Sequence, residues 1–110
     1  MASISNIFID QGATFSTTLT VNDANGSALD LTNYTAIAQL RKSPSSSTST
    51  SFTVAFVSPR TTGQITISLT ATQTAALEDT RYVYDLEIVT GDVVTRVIEG
   101  LISVRPQVTT

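Results

Sequence analysis

The sequence contains no histidine and no cysteine, and these two absences remove most of the side chains on which enzymes depend. Histidine is the commonest general base, a cysteine thiolate is a strong nucleophile, and both are main ligands of transition metals. We therefore predict a protein that is not an enzyme, with no catalytic residue and no cofactor. Without cysteine, no disulfide holds the fold.

Positive charge and long apolar runs are also scarce. Lysine and arginine number 6 against 9 aspartates and glutamates, which gives a net charge of −3. Surfaces that bind nucleic acid are basic, so nucleic acid is not an expected partner. No apolar run approaches the roughly 20 residues that a membrane-spanning helix needs, and the N-terminus lacks the features of a signal peptide. The sequence predicts no membrane contact.

The carboxylates do not form a convincing metal site. Asp85 and Glu87 share one strand face at positions i and i+2, a spacing that could serve calcium. Solvated charges on a strand are the simpler interpretation, and we favour it. The loop 23–26 has Asx residues and a glycine without the bidentate glutamate of an EF-hand, so it predicts a turn. We expect no metal and no small-molecule substrate.

Alternating apolar and polar residues are what the sequence has in abundance. They predict an all-β fold, an immunoglobulin-like antiparallel sandwich of about seven strands, built as one domain over residues 1–110. Helix is limited to one turn near 71–78, with Thr70 or Thr72 as its N-cap. The predicted strands cover residues 4–10, 13–21, 34–42, 52–56, 65–69, 81–89 and 93–104.

The last two strands form a predicted hairpin around a break at Gly91–Asp92. Pairing Thr90 with Val93 sets Glu87 opposite Arg96, a favourable cross-strand charge pair. The same register places Leu86 opposite Val97, Tyr82 opposite Leu101 and Tyr84 opposite Glu99. The run LEDTRYVYD is also similar to the corner of immunoglobulin domains in which a tyrosine hydroxyl bonds back to the backbone. Tyr82 or Tyr84 is predicted to play that part.

The final strand is apolar on both faces, which is unusual for a half-buried antiparallel strand. Val93, Val97 and Leu101 line one face. The other face is a row that predicts either an assembly interface or cover by another element of the same chain. The row consists of Val94, Ile98, Ile102 and Val104.

Three further segments are predicted to lie outside the packed domain. Residues 43–51 read SPSSSTSTS, which predicts an exposed, mobile loop that folding does not require. Residues 1–6 and 106–110 have little of their own to pack on, and they are candidate assembly arms; the alternative is that they lie on their own sandwich, with residues 4–10 as an edge strand.

Several segments together resemble small tail and baseplate proteins of tailed phages, especially cyanophages. They are IDQGATFSTTLTV, NDANGSALDLTNYTAIAQLRKS, a G-x-I-x-I-x-L strand at 63–69, and RYVYDLEIVTGDVVTRVIEGLISVRPQVT. The layout is also similar to the N-terminal domain of the phage baseplate upper protein family. No extension follows Thr110 like that of longer relatives, so we expect a structural or adaptor role rather than host recognition.

The resemblance implies a virion structural protein, made in the host cytoplasm and located in the phage particle. Its expected partners are other virion proteins and copies of itself, in the tail, baseplate or neck. An alternative is a capsid decoration protein on the outer shell. A second alternative is a carbohydrate-binding adhesion domain, which ranks lower because the sequence has no tryptophan as a stacking platform.

Overall fold

The computed structural model describes residues 3–108, which form two β-sheets packed face to face around one core. Within these residues there are nine strands, one short α-helix and one 3-10 turn at Arg60–Thr62. The strands are β1 (Ser3–Ile4), β2 (Ile7–Asp10), β3 (Phe15–Thr20), β4 (Thr35–Arg41), β5 (Thr50–Ser51), β6 (Thr53–Phe56), β7 (Gln64–Leu69), β8 (Arg81–Thr90) and β9 (Val93–Arg105). The helix, α1, spans Ala71–Ala75.

The larger sheet has the strand order β1-β9-β8-β4-β5, with β2 also paired to β9, and the smaller sheet has the order β3-β7-β6. The predicted all-β, immunoglobulin-like sandwich is confirmed. It is not wholly antiparallel, because β1 and β2 run parallel to β9. The predicted strand 4–10 divides in two at Ser5–Asn6, and Thr50–Ser51 adds a strand that the sequence did not indicate.

The core follows the period-2 alternation from which the strands were predicted. On β7, Ile65, Ile67 and Leu69 are all buried, and Leu86 and Ile88 meet them from β8. Phe52 lies between β5 and β6, where the chain passes from the larger sheet to the smaller one. Its buried ring contacts the rings of Phe15 and Tyr84, with centroids 6.1 and 6.3 Å away. The two sheets are therefore joined through this aromatic cluster.

The helix forms where the sequence predicted a single turn. Thr70 is its N-cap, and its hydroxyl accepts a hydrogen bond from the Gln73 N–H at 3.2 Å. The Gln73 side chain in turn accepts from the Thr70 N–H at 2.9 Å. This reciprocal capping box satisfies two backbone donors of a helix that is too short to be stable by propensity alone.

The hairpin of β8 and β9 begins in the predicted register and then leaves it. Thr90 pairs with Val93 and Glu87 with Arg96, as predicted. A β-bulge then adds one residue to β9, so Leu86 lies opposite Ile98 rather than Val97. Beyond the bulge the predicted pairs are wrong: Tyr84 lies opposite Gly100 and Tyr82 opposite Ile102. One extra residue exchanges the two faces of a strand, because side chains alternate.

Gly100 marks the place where the break between β1 and β2 lies close against β9. A Cβ atom at this position would lie 2.1 Å from the Ser5 carbonyl oxygen. The Ser5 N–H donates to the Glu99 carbonyl at 2.9 Å, and the Asn6 side chain accepts from the Leu101 N–H at 3.0 Å. These bonds hold the break between β1 and β2 against β9.

The prediction that residues 1–6 are an assembly arm is wrong for residues 3–6. Ser3 and Ile4 pair with Ile98 and Glu99, because the free side of β9 offers backbone partners within the same chain. At the other end, the Gln107 N–H donates to the Gln11 side chain at 3.2 Å, and Val108 is exposed. The outer parts of both predicted arms, residues 1–2 and 109–110, lie outside the described residues.

The Ser/Thr-rich loop makes local hydrogen bonds, and its last two residues form β5. Arg41 on β4 donates to the Ser46 carbonyl at 2.7 Å, which ties the loop to the larger sheet. None of its residues is fully buried. That folding does not require the loop stays a prediction.

Candidate functional site: the outer face of the larger sheet

The outer face of the larger sheet carries most of the large apolar side chains that the described residues expose. Alternation assigns the faces: Tyr82, Leu86 and Ile88 of β8 are buried, so Val83 and Val89 point outward. The registers then place five exposed apolar residues on this outer face. They are Ile4 (75% exposed), Phe8 (63%), Ile37 (50%), Val94 (58%) and Leu101 (38%).

A groove of about 700 Å³ runs across the middle of this face. Its apolar wall is formed by Ile4, Val83 and Leu101, which lie on three adjacent strands. Arg41 and Pro44 line the opposite end, where β4 leads into the Ser/Thr-rich loop. Four charged side chains of β8 and β9 also line it, so the groove has both apolar and charged surface.

The charged cluster is centred on Arg96. Its guanidinium lies 3.1 Å from the Asp85 carboxylate and 3.9 Å from that of Glu99. The predicted pair of Glu87 and Arg96 is opposite in register, but the short ion pair is made with Asp85 instead. Exposed ion pairs of this kind contribute little to stability, with a median of about 0–1 kcal/mol. Their stronger effect is on the orientation and choice of a partner.

The row predicted as an assembly interface is not one surface. Ile98, Ile102 and Val104 are buried in the domain's own core, with 3%, 0% and 6% exposure, because the bulge turns them inward. The prediction is therefore wrong for these three residues, and the alternative that the chain covers its own row is correct for them. Val94 precedes the bulge and is exposed near the tip of the hairpin.

The predicted structural corner is formed by Tyr82. The Glu78 N–H donates to the Tyr82 hydroxyl at 2.9 Å, four residues upstream. Tyr84 has a different role, because its hydroxyl donates to the Ser5 carbonyl at 2.5 Å rather than to Glu99. Burial raises the pKa of Tyr84, so it stays protonated and remains a donor at neutral pH. Both tyrosines hold the fold through these hydrogen bonds.

The described residues hold no other arrangement with evident chemistry. Between Ser3 and Val108, no group of three or more acidic side chains is close enough to hold a metal ion. None of the helices in this part of the chain is long and apolar enough to cross a membrane. Asp30 has a lowered pKa because the Thr32 hydroxyl and backbone N–H donate to its carboxylate, which is the geometry of a turn.

The outer-face patch is not among the predicted sites, although part of its signal is present in the sequence. Ile37 shares the outer side of β4 with the polar residues Thr35 and Gln39. A large apolar residue among polar neighbours on an outer face was the clue. Leu101 was assigned to the core, because the bulge that turns it outward was not anticipated.

No protein-family model and no curated protein matches the chain. Among solved structures it is similar to InlP of Listeria monocytogenes, with a TM-score of 0.51 and 11% identity. That match covers 94% of this chain, which spans only 28% of the InlP chain. The likeness shows the fold alone.

Two further solved structures are similar at lower TM-scores. The Lin-41 filamin domain has a TM-score of 0.48 at 18% identity, covering 89% of this chain and 82% of that one. The extracellular fragment of novel immune-type receptor 11 from Ictalurus punctatus has a TM-score of 0.41 at 10% identity, covering 100% and 89%.

Proposed function

We propose that this protein is a non-enzymatic structural protein of a tailed-phage particle, an adaptor of the tail, baseplate or neck. It works by binding neighbouring subunits through the outer face of the larger sheet. The observation that carries the proposal is the exposure of five large apolar side chains on that one face, in two patches on either side of the charged cluster around Arg96. Exposed apolar patches on small soluble domains mark interaction surfaces.

The composition of the face suits a protein partner. Ile4, Val83 and Leu101 form one apolar patch, and Arg96 with its two carboxylates lies between this patch and Val94. Protein interfaces combine apolar and charged side chains, and the charges orient the partner. Fully burying one exposed side chain of this size is worth roughly 1.5–3 kcal/mol, and a partly exposed one such as Leu101 contributes proportionally less.

The phage assignment is supported by the sequence resemblance alone. The opening segment 9–21 and the final hairpin with its tail, 81–109, carry most of that resemblance. Synthesis in the host cytoplasm and a final location in the virion follow from it. Capsid decoration is the alternative location, because a shell subunit offers the same kind of partner as a tail subunit.

A carbohydrate-binding role has less support. Phe8 is the one aromatic ring among the strongly exposed apolar side chains of residues 3–108. The Arg105 guanidinium lies over this ring, 5.1 Å from its centroid, and occupies the surface that a sugar would stack on. The carbohydrate hypothesis therefore remains the last of the three.

The test uses Leu101→Asp and Ile37→Asp in phage that depend on a supplied copy of this protein. Both side chains are exposed, so the variants fold, and we expect at least tenfold less of each variant in purified particles. Thr66→Asp is the matched control, because it adds the same charge to the outer face of the smaller sheet. Normal incorporation of both outer-face variants would refute the proposed surface. The virion role would be refuted if the wild-type protein were absent from the purified phage particles.

A further inference from the structure

The first strand of the smaller sheet, β3, has an open edge. Its one partner among the described strands is β7, and the other side of β3 is unpaired. Natural sheet edges are protected by charged residues, prolines, bulges or very short strands. The six residues of β3 read FSTTLT and pair with β7 in continuous register, so none of these protections is present.

The other free edges of the sandwich differ from β3 in this respect. Strand β6 has four residues and ends just before Pro59, and β5 has only two residues. The N-terminal edge is interrupted at Ser5–Asn6 and ends in Asp10, which forms an ion pair with Arg105. Only β3 combines length, regularity and lack of charge among the described edges.

The direction of the backbone groups on β3 follows from its pairing. The Val21 N–H, just after the strand, donates to the Gly63 carbonyl at 2.7 Å and so points toward β7. Backbone direction alternates along an antiparallel strand. The backbone groups of Leu19, Thr17 and Phe15 therefore also point toward β7, while those of Ser16, Thr18 and Thr20 point to the open side.

We propose that the β3 edge binds the β3 edge of a second copy of this protein, in antiparallel orientation around a two-fold axis. In the register centred on Thr18, this residue opposes its own counterpart and Ser16 opposes Thr20 of the second copy. All three outward-facing residues are then used, and three pairs exchange six backbone hydrogen bonds. The two smaller sheets join into one continuous sheet of six strands.

The side chains are self-complementary in this register. On the outer face every cross-copy pair joins two hydroxyl side chains, and such pairs stabilise neighbouring strands. On the inner face Phe15 opposes Val21, and Thr17 opposes Leu19. No charged residue lies within β3, so the two-fold axis brings no like charges together.

This inference rests on the proposed function and deepens it, because it names a second copy of this protein as one assembly partner. It uses a strand edge, whereas the proposed function uses the outer face of the other sheet. The two claims therefore fail separately. A monomeric protein that still needs Leu101 to enter particles would overturn the edge dimer alone. A dimer that enters particles without Leu101 would overturn the proposed surface alone.

A single-cysteine experiment tests the register directly, because the chain has no cysteine of its own. In a hydrogen-bonded antiparallel pair the Cα atoms are about 5.5 Å apart, within the range that a disulfide spans. Thr18→Cys is expected to form a disulfide-linked dimer under mild oxidation. Thr20→Cys is the matched control, because its counterpart lies four residues away along the strands. Equal cross-linking of the two variants would overturn the proposal.

Sedimentation equilibrium tests the dimer without a cross-link. Thr18→Pro removes the N–H that points to the open edge and leaves the bonds to β7 in place, so the domain folds. Both central hydrogen bonds of the dimer are lost, and the dimer Kd is expected to rise roughly 10- to 100-fold. Thr18→Val keeps the N–H and loses only the hydroxyl, so its dimer Kd should rise much less than that of Thr18→Pro. A wild-type protein that stays monomeric at millimolar concentration would overturn the inference.

Discussion

The outer faces of the two sheets differ in the kinds of side chain that they present to the surface. Every outward side chain of the smaller sheet is small or polar and uncharged, and the larger sheet carries isolated large apolar residues beside a charged cluster. The smaller sheet's outer face consists of Ser16, Thr18, Thr20, Thr53, Ala55, Gln64, Thr66 and Ser68. Threonine favours strands and is compatible with water, so this face is complete without a partner.

The comparison shows that the fold itself does not explain the apolar residues on the outer face of the larger sheet. Both sheets use the same alternation and the same kind of core, so the stability of the sandwich does not require Ile37 or Leu101 to be apolar. Thr66 occupies an equivalent outward position on the smaller sheet as a hydroxyl. We therefore propose that the apolar residues on the outer face of the larger sheet contact another molecule.

The largest effect is expected on β9, where an inward-facing residue and an outward-facing residue are neighbours along the chain. Ile102 is fully buried and Leu101, its neighbour on β9, is 38% exposed. Ile102→Asp places a charge in the core and should cost more than about 4 kcal/mol, enough to unfold a small domain. Leu101→Asp should keep its thermal midpoint within a few degrees. Calorimetry of the two variants checks this, and equal destabilisation would refute the assignment of faces.

The next effect concerns the N-terminal strand β1, which pairs alongside β9. Gly100→Ala places a methyl group 2.1 Å from the Ser5 carbonyl oxygen, so β1 must move away. We expect a loss of about 1–3 kcal/mol in the free energy of unfolding, as for other overpacked sites. Hydrogen exchange should also become faster at the Ser5 amide. Ser103→Ala on the same strand is the control, and equal stability of the two variants would contradict the close contact.

A smaller effect is expected from Tyr84→Phe. The variant loses the bond from the hydroxyl to the Ser5 carbonyl and should be less stable by about 0.5–1.5 kcal/mol at neutral pH. Burial raises the pKa of Tyr84 in the folded state. The advantage of the wild type is therefore fully present below the unfolded pKa of about 10, and it falls as pH rises through the folded pKa. Denaturant titrations from pH 7 to 11 measure it, and an advantage that does not begin to fall above pH 10 would contradict this account.

The smallest effect is expected from shortening the Ser/Thr-rich loop, which lies beside the groove on the outer face of the larger sheet. Replacing residues 43–49 by a short Gly-Ser turn keeps β5 and removes the bond from Arg41 to Ser46. Because the segment buries no apolar side chain, the thermal midpoint should change by only a few degrees. A fall of more than about 8 °C would mean that the loop packs on the domain.

The sequence was sufficient for the fold class, because alternation with period 2 marks buried strands over short distances. The strand of Ile65, Ile67 and Leu69 and the capped turn after Thr70 both needed only local patterns. The hairpin register was predictable as far as Arg96, where the turn and the charge pair determine it. These features depend on residues that are near one another along the chain.

The candidate site was not predictable, because one bulged residue decides it. Val97 and Ile98 are adjacent apolar residues, and alternation alone does not say which one faces the core. The structure selects Ile98, and this choice sends Leu101 outward and Ile102 inward. Likewise, nothing in the pattern of residues 3–10 indicates parallel pairing with β9, a contact between residues almost 100 positions apart.

The central claim is that the outer face of the larger sheet, and not that of the smaller sheet, contacts a neighbouring subunit. An electron cryo-microscopy map of the assembled particle tests it most directly, at a resolution that traces side chains. The account predicts density from a neighbour against Leu101 and Ile37, with the Ser and Thr side chains around Thr66 facing solvent. A neighbour packed on Thr66 while Leu101 faces solvent would contradict it.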